Sequence, residues 1–397
     1  MKKIIRIFAI LMLILSLLTG CWSRKELNEL AIATALGIDK TEDGYLISIQ
    51  ILNPGELAGK SSSGRTEVVR FMKRGETVFE ALRKISMDAP RKIYVAHLRE
   101  VIFGEEIAKE GIGKALDFIS RDHEMRTDFY ITVAKGSTAS DILNVQTALE
   151  KVPANKLFSA LENSEKNWAA TKSVKLDELI NSIVSKGKEP VLTGIYVYND
   201  PEAGSDIKNV QNVSPKTGLK IDSLAVFDND KLIGWLNLDE SKGFNYITDN
   251  VKSTVVKVPM EDGSISIETI RSKTKVKGKM VNGKPKINIT INTEGNVGDV
   301  ESKFDLSKPQ NIDELNEKYQ NDIKNKVETV IKKVQEDYQC DIFGFGEVIH
   351  RADPKAWKQL QKNWDEEFAE LAVTVKVNAD VRRLGTITES FQKEAEE

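Results

Sequence analysis

The apolar positions of this chain change period several times along its length, and each change predicts an element. From Ile7 to Leu18 they run on with only Ser16 polar, behind the cations Lys2, Lys3 and Arg6. That run suits a signal-peptide core and is shorter than the ~20 residues that cross a bilayer as a helix. Leu27, Leu30, Ala31 and Thr34 then recur at i, i+3, i+4 and i+7, which predicts a helix over Glu26–Ala35 ended by Gly37. A turn over Asp39–Gly44 leads into a strand at Tyr45–Leu52. The stretch Asn53–Thr66 holds Pro54, three glycines and Ser61-Ser62-Ser63, the composition of a mobile loop.

Helices and strands next alternate. Thr77 caps a helix over Val78–Met87, which Pro90 stops. Ile93–Phe103 predicts a strand, Glu105–Ser120 a helix broken near Gly111 and Gly113, Asp128–Ala134 a strand, Ser137–Leu149 a helix and Val191–Tyr198 a strand. Asn199–Leu219, with Pro201, Gly204, Pro215 and Gly218, predicts a boundary or long loop. Beyond it the texture is strand-rich: Leu224–Phe227, Leu232–Leu236, Val251–Val258, Ser264–Thr269, and a hairpin of Lys275–Val281 and Lys286–Ile291 across Asn282-Gly283-Lys284-Pro285. A long helix follows, capped by Asn311 with Glu314 and carrying Ile312, Leu315, Tyr319, Ile323, Val327, Val330, Val334 and Tyr338 on one face. A helix over Ala356–Phe368 and an alternating strand from Leu371 to Val381 close the pattern.

The expected class is α+β, with helices packed on sheets. The texture divides the chain into a leader (1–20), an N-terminal mixed region (21–205) with its loop at 53–66, a strand-rich middle (206–300) and a C-terminal region of long helix and sheet (301–397). With 397 residues, 40% hydrophobic and 29% charged, a disordered chain and a polytopic membrane protein are both excluded. The formal charge is −3, but the leader contributes +3, so the rest of the chain stands at −6. Nothing in that balance asks for nucleic acid.

Motifs for chemistry are scarce. His97, His123 and His350 lie far apart, without metal-ligand spacing. No nucleophile elbow or phosphate-binding glycine loop occurs, and Gly344-Phe345-Gly346 lacks the third glycine and suits a tight turn. No catalytic residue, metal or cofactor is expected. Basic groups are more suggestive: Arg91-Lys92 after Pro90, Arg382-Arg383 at the last strand, and Lys273, Lys275, Lys277 and Lys279, which an alternating strand lines along one face. These are candidate contacts for anionic headgroups or a protein partner.

Leu18-Thr19-Gly20-Cys21 resembles the lipobox of bacterial lipoproteins. The resemblance implies cleavage after Gly20, a diacylglyceryl thioether on Cys21 and an N-acyl chain. Two or more acyl chains on one residue meet the requirement for stable anchoring. With Cys21 lipidated, Cys340 has no partner for an intramolecular disulfide.

Immediately after, Cys21-Trp22 and Glu26-Leu27-Asn28-Glu29-Leu30-Ala31, then Gly37-Ile38-Asp39, resemble the Ger(x)C family, the C-subunit lipoproteins of spore germinant receptors. The resemblance continues through Pro90-Arg91-Lys92-Ile93-Tyr94, His97-Leu98-Arg99, Gly104-Glu105-Glu106-Ile107-Ala108, Glu124-Met125-Arg126 and Pro190-Val191-Leu192-Thr193-Gly194. It ends with Phe343-Gly344-Phe345-Gly346 and Val381-Arg382-Arg383-Leu384-Gly385. It implies three mixed α/β domains, no catalytic residues, a place on the outer face of the spore inner membrane, and A and B subunits as partners. Two other classes share the anchor. A solute-binding lipoprotein of a transporter requires two similar lobes, whereas the halves here differ in texture. A wall-polymer hydrolase requires convergent acid/base or metal groups, and the sequence offers none.

Overall fold

The computed structural model describes residue 1 and residues 3–8, 29–58 and 65–383. The lipobox with Cys21, residues 26–28 of the expected first helix, residues 59–64 of the expected loop and everything from Leu384 onward lie outside the described residues.

The first described element corrects the expected helix: Leu30–Thr41 is a strand, β1. Its residues are buried almost without interruption, because it lies inside a sheet covered on both faces. Such a strand is apolar throughout and satisfies a helical spacing as easily as a strand one. β2 (Gly44–Leu52) returns antiparallel, α1 (Pro54–Ala58) occupies part of the expected loop, and β3 (Val68–Gly75) forms an edge that the pattern missed. α2 (Val78–Lys84) is capped as expected, Thr77 Oγ1 accepting from Glu80 N at 3.1 Å. The expected strand Ile93–Phe103 is two pieces, β4 (Lys92–Tyr94) and β5 (Glu100–Phe103), both parallel to β1.

α3 (Glu105–Glu110) and α4 (Gly113–Arg121) lead to β6 (Tyr130–Ala134), and α5 (Ala139–Asn144), α6 (Pro153–Asn167) and α7 (Leu176–Val184) lead to β7 (Val191–Tyr198). α8 (Pro201–Ser205) and α9 (Ile207–Gln211) fill the expected boundary segment. β8 (Gly218–Asp228) and β9 (Lys231–Leu236) then extend the same sheet. The order is β3-β2-β1-β5-β6-β7-β8-β9, with β4 beside the start of β1. Thus two strands that texture assigns to the middle region complete the first sheet. α2, α3, α4 and α7 pack one face, and α5 and α6 the other.

α10 (Leu238–Ile247) leads into a second sheet of β10 (Thr254–Met260), β11 (Gly263–Val281), β12 (Lys284–Glu301) and, parallel to β12, β13 (Ala372–Arg383). The expected hairpin forms, but its turn is tighter than the four residues expected: Asn282 (φ 52°) and Gly283 (φ 80°) make a two-residue turn, and Lys284 and Pro285 already belong to β12. Between β12 and β13 come α11 (Pro309–Lys333), α12 (Phe345–Ala352), α13 (Pro354–Leu360) and α14 (Trp364–Ala369). α11 buries Leu315, Tyr319, Ile323, Val327 and Val330, as its apolar stripe requires. Its start differs from expectation: Lys308 is the cap and Pro309 the first helical residue, while Asn311 Nδ2 donates to Asp305 O. The described residues form a mixed α/β architecture of two sheets with helices.

Gly104 shows how tightly the first sheet is set. A Cβ there would overlap Oδ1 of Asp39, whose carboxylate accepts from Ala139 N (2.7 Å) and Ser140 N (2.9 Å) at the start of α5. Gly104→Ala is expected to lower stability by roughly 1–3 kcal/mol, read as a falling midpoint in urea at unchanged slope.

Candidate docking surfaces

The segments that looked distinctive in sequence meet in space, and several hold the fold. Gly37-Ile38-Asp39 meets Gly104 as described. Asp341, fully buried, accepts from Phe343 N (3.1 Å), Gly344 N (2.9 Å), Gly346 N (2.7 Å) and Trp364 Nε1 (3.0 Å). The amides of Phe343-Gly344-Phe345-Gly346 that face a carboxylate are therefore occupied by the chain's own, and the segment is the expected tight turn, with Gly344 at φ 77°. Gly346 lies against Gly187, so that an added Cβ would stand 2.6 Å from the Gly187 Cα, and Glu189 N donates to Asp341 O at 2.7 Å. The turn thereby pins the strand that begins at Val191.

Several ionisable groups are buried. Burial lifts the Asp341 carboxyl to about 6 despite its four donors, and Glu189, also desolvated, to about 7. Glu100 on β5 is completely enclosed. Thr132 Oγ1 donates to its Oε1 at 2.7 Å, Oε2 has no partner, and burial lifts the carboxyl to about 8. The Cys340 thiol is buried, its ionisation pushed up by desolvation, and rests 3.7 Å from Phe227 O. Among the described residues no group of three or more His, Cys, Asp and Glu is placed to hold a metal ion. No nucleophile stands beside a base in this set.

The predicted basic residues fall on two surfaces. Lys92 on β4 is paired in register with Leu30, the first residue of β1, and its Nζ lies 2.6 Å from Glu124 Oε1. Arg91 is exposed beside it. At this end of the sheet a cavity of about 580 Å³ is lined by Thr34, His97, Arg99, Arg126, Asp128 and Asn155, among others. Arg126 pairs with Asp128 at 3.1 Å, and the Arg99 guanidinium lies 5.1 Å from the Phe158 ring centroid. Two segments separate in sequence, His97-Leu98-Arg99 and Glu124-Met125-Arg126, are thus neighbours.

The second surface is the outer face of the smaller sheet. Lys273, Lys275, Lys277 and Lys279 all point outward from β11, as their spacing requires, while Thr274, Val276, Gly278 and Met280 face the core side. Lys273 pairs with Asp249. The structure adds two lysines that a strand-by-strand pattern does not connect: Lys286, opposite Lys279, and Lys376 of β13, opposite Thr290. Arg382 and Arg383 lie at the other end of this sheet, and Arg382 is held by Glu294 at 2.8 Å. The structure therefore does not join Arg91 and Lys92 to the β11 row.

Comparison with known proteins decides the ancestry. Residues 23–197 match the profile described as spore germination protein N-terminal domain, and residues 222–385 match spore germination B3/GerAC-like, C-terminal. The chain belongs to the Ger(x)C family. Among its relatives, spore germination protein KC of Bacillus subtilis (strain 168) is 32% identical over 390 residues, covering 96% of both chains. Spore germination protein B3 of the same organism is 25% identical, covering 96% of this chain and 98% of that one. GerQC of Bacillus cereus is 22% identical over 382 residues. The crystal structure of the GerBC protein aligns with TM-score 0.54 at 19% identity, over 87% of this chain and 96% of that one, a likeness of fold. In this Ger(x)C chain the two matched regions meet where β7 and β8 pair, so one sheet runs across both.

Glu100 supplies a pH test. Its folded value is raised above the ordinary 4.5, so the folded state holds the proton more tightly than the unfolded chain. Its favourable contribution is fully present below about pH 4.5 and is lost as pH rises through about 8. Glu189 and Asp341 act in the same direction at lower pH. Stability measured in urea is expected to fall from pH 5 to pH 9, and Glu100→Gln to flatten the fall between pH 6 and 9; an unchanged slope contradicts the assignment.

Proposed function

We propose that this chain is the lipid-anchored C subunit of a nutrient germinant receptor. It is held by Cys21 at the outer face of the spore inner membrane and acts with a polytopic B subunit and an A subunit in the assembly or signalling that starts germination. The observation that carries this reading is the end-to-end family match, two successive spore-germination regions over residues 23–197 and 222–385. The Leu18-Thr19-Gly20-Cys21 sequence supports the anchor. Among the described residues no helix is long and apolar enough to cross a membrane, so attachment by this part of the chain as a spanning helix has no support.

The role is that of a non-enzymatic subunit. Its distinctive segments do structural work: Asp39 with Gly104, and Asp341 with the Phe343–Gly346 turn. Basic charge remains exposed at Arg91, Lys92 and the β11 row. Eight residues separate Cys21 from Leu30, a reach of at most ~30 Å, so Arg91 and Lys92, beside Leu30, stand at about that distance or less from the lipid and are assigned as its nearest basic contacts.

The test is affinity purification of the tagged chain from detergent-solubilised spore inner membrane, with mass spectrometry of what is retained. Recovery of a transporter-like B subunit and an A subunit, lost on Cys21→Ala, is the expected result. Recovery of a permease and its ATPase instead contradicts the receptor reading, and a preparation without membrane partners removes it.

A further inference from the structure

The outer face of the smaller sheet carries a charge arrangement that the fold itself does not explain. Lys273, Lys275, Lys277 and Lys279 stand on alternate residues of β11, ~7 Å apart and ~20 Å end to end. Their cross-strand partners on β12 are Asn292, Thr290, Asn288 and Lys286. None is acidic, and Lys279 directly faces another lysine, an arrangement that destabilises a sheet. Lys376 on β13 adds a further cation beside Thr290. Among the described residues, Lys275, Lys277, Lys279, Lys286 and Lys376 have no ion-pair partner. Acidic groups border the row, at Asp249 with Lys273 and at Glu370 with Lys284, and farther along the face stand Glu294 with Arg382 and Asp380.

We infer that this lysine face is a second membrane contact, which adsorbs on anionic phospholipid headgroups and sets the orientation of the tethered protein. Two features favour a lipid surface over a protein partner. The face offers Lys, Asn and Thr without an aromatic anchor, whereas protein interfaces deplete lysine and depend on buried Trp, Tyr and Arg. Its charges are also spread over a sheet surface, so many headgroups can be met at once without a pocket. An anionic surface relieves the repulsion between Lys279 and Lys286 that the isolated protein retains. The inference rests on the membrane-tethered reading above, and the experiment separates the two.

The full chain is mixed with vesicles of phosphatidylcholine alone or with about 30% phosphatidylglycerol, floated, and treated with an amine-acylating reagent before peptide mass spectrometry. On anionic vesicles Lys275, Lys277, Lys279, Lys286 and Lys376 are expected to label several-fold more slowly than on neutral ones. Lys324 and Lys332, on the helix covering the sheet's other face, label equally on both. The protection disappears at about 1 M salt, where the screening length is ~3 Å. Flotation with both vesicle types and equal labelling of all lysines overturns the face and leaves the tether. Flotation with anionic vesicles alone, lost in Lys275→Gln/Lys277→Gln/Lys279→Gln, supports the face and overturns the tether. Flotation with neither overturns both. Thermal melts of the triple variant at low salt control for folding: removing like charges is expected to leave its midpoint unchanged or raised.

Discussion

The two sheets depend on one element, α10, which is buried over nearly its whole length although its sequence is half polar. Phe244, Tyr246 and Ile247 join a core that contains Val191, Leu224 and Val226 of the larger sheet and Ile287, Ile289 and Ile291 of the smaller. Some polar groups near α10 find partners on site, while Ser241 Oγ and Asn245 Oδ1 are buried without one among the described residues. Asn245 Nδ2 donates to Ala169 O (2.8 Å) and Thr171 O (3.1 Å), and Tyr246 and Tyr319 hydroxyls flank Thr269 Oγ1 at 3.2 and 2.7 Å. Gly243 lets α10 approach the Lys326 carbonyl of α11, where a side chain would not fit. Because one core serves both sheets, the lysine face is held in a fixed attitude to the strand that leads back to Cys21.

On the proposed reading, that constraint would turn a collection of charges into a device for orientation. A single lipid anchor fixes a protein's distance from a membrane but leaves it free to rotate about the tether. A second, electrostatic contact removes much of that freedom, and each cation contributes on the order of 1 kcal/mol near an anionic surface. Oriented domains present the same side to a membrane partner at every encounter, which reduces the ordering cost of association. The interior, by contrast, is committed to structure: its carboxylates at Asp39 and Asp341 accept backbone donors, and the Cys340 thiol is buried against a carbonyl.

Legibility in the sequence followed residue type and period. β2, β6 and β7, although largely buried, are legible because β-branched and aromatic residues dominate them, and the β11–β12 hairpin because alternation survives on its half-solvated sheet. β1, enclosed on both faces, carried the helical spacing of an apolar run and was misread. β3, Val68–Gly75, was missed because Arg70, Lys73 and Arg74 make it look like loop; as an edge strand it tolerates those charges. α10 was missed for its polarity, although Asn237 and Glu240 exchange side-chain bonds with each other's backbone amides in a capping box visible in sequence. The lysine row on β11 was legible from period alone. Lys286 belongs to the same basic run of sequence, but only strand register sets it opposite Lys279 and brings Lys376 beside the row.

The central claim is that this fold is tethered through Cys21, and the chemical state of the N-terminus tests it most directly. Mass spectrometry of the N-terminal peptide, from chain isolated out of spore membranes, is predicted to show a first residue Cys21 bearing a diacylglyceryl thioether and an N-acyl group. A chain that retains residues 1–20, or one with an unmodified Cys21, contradicts the account.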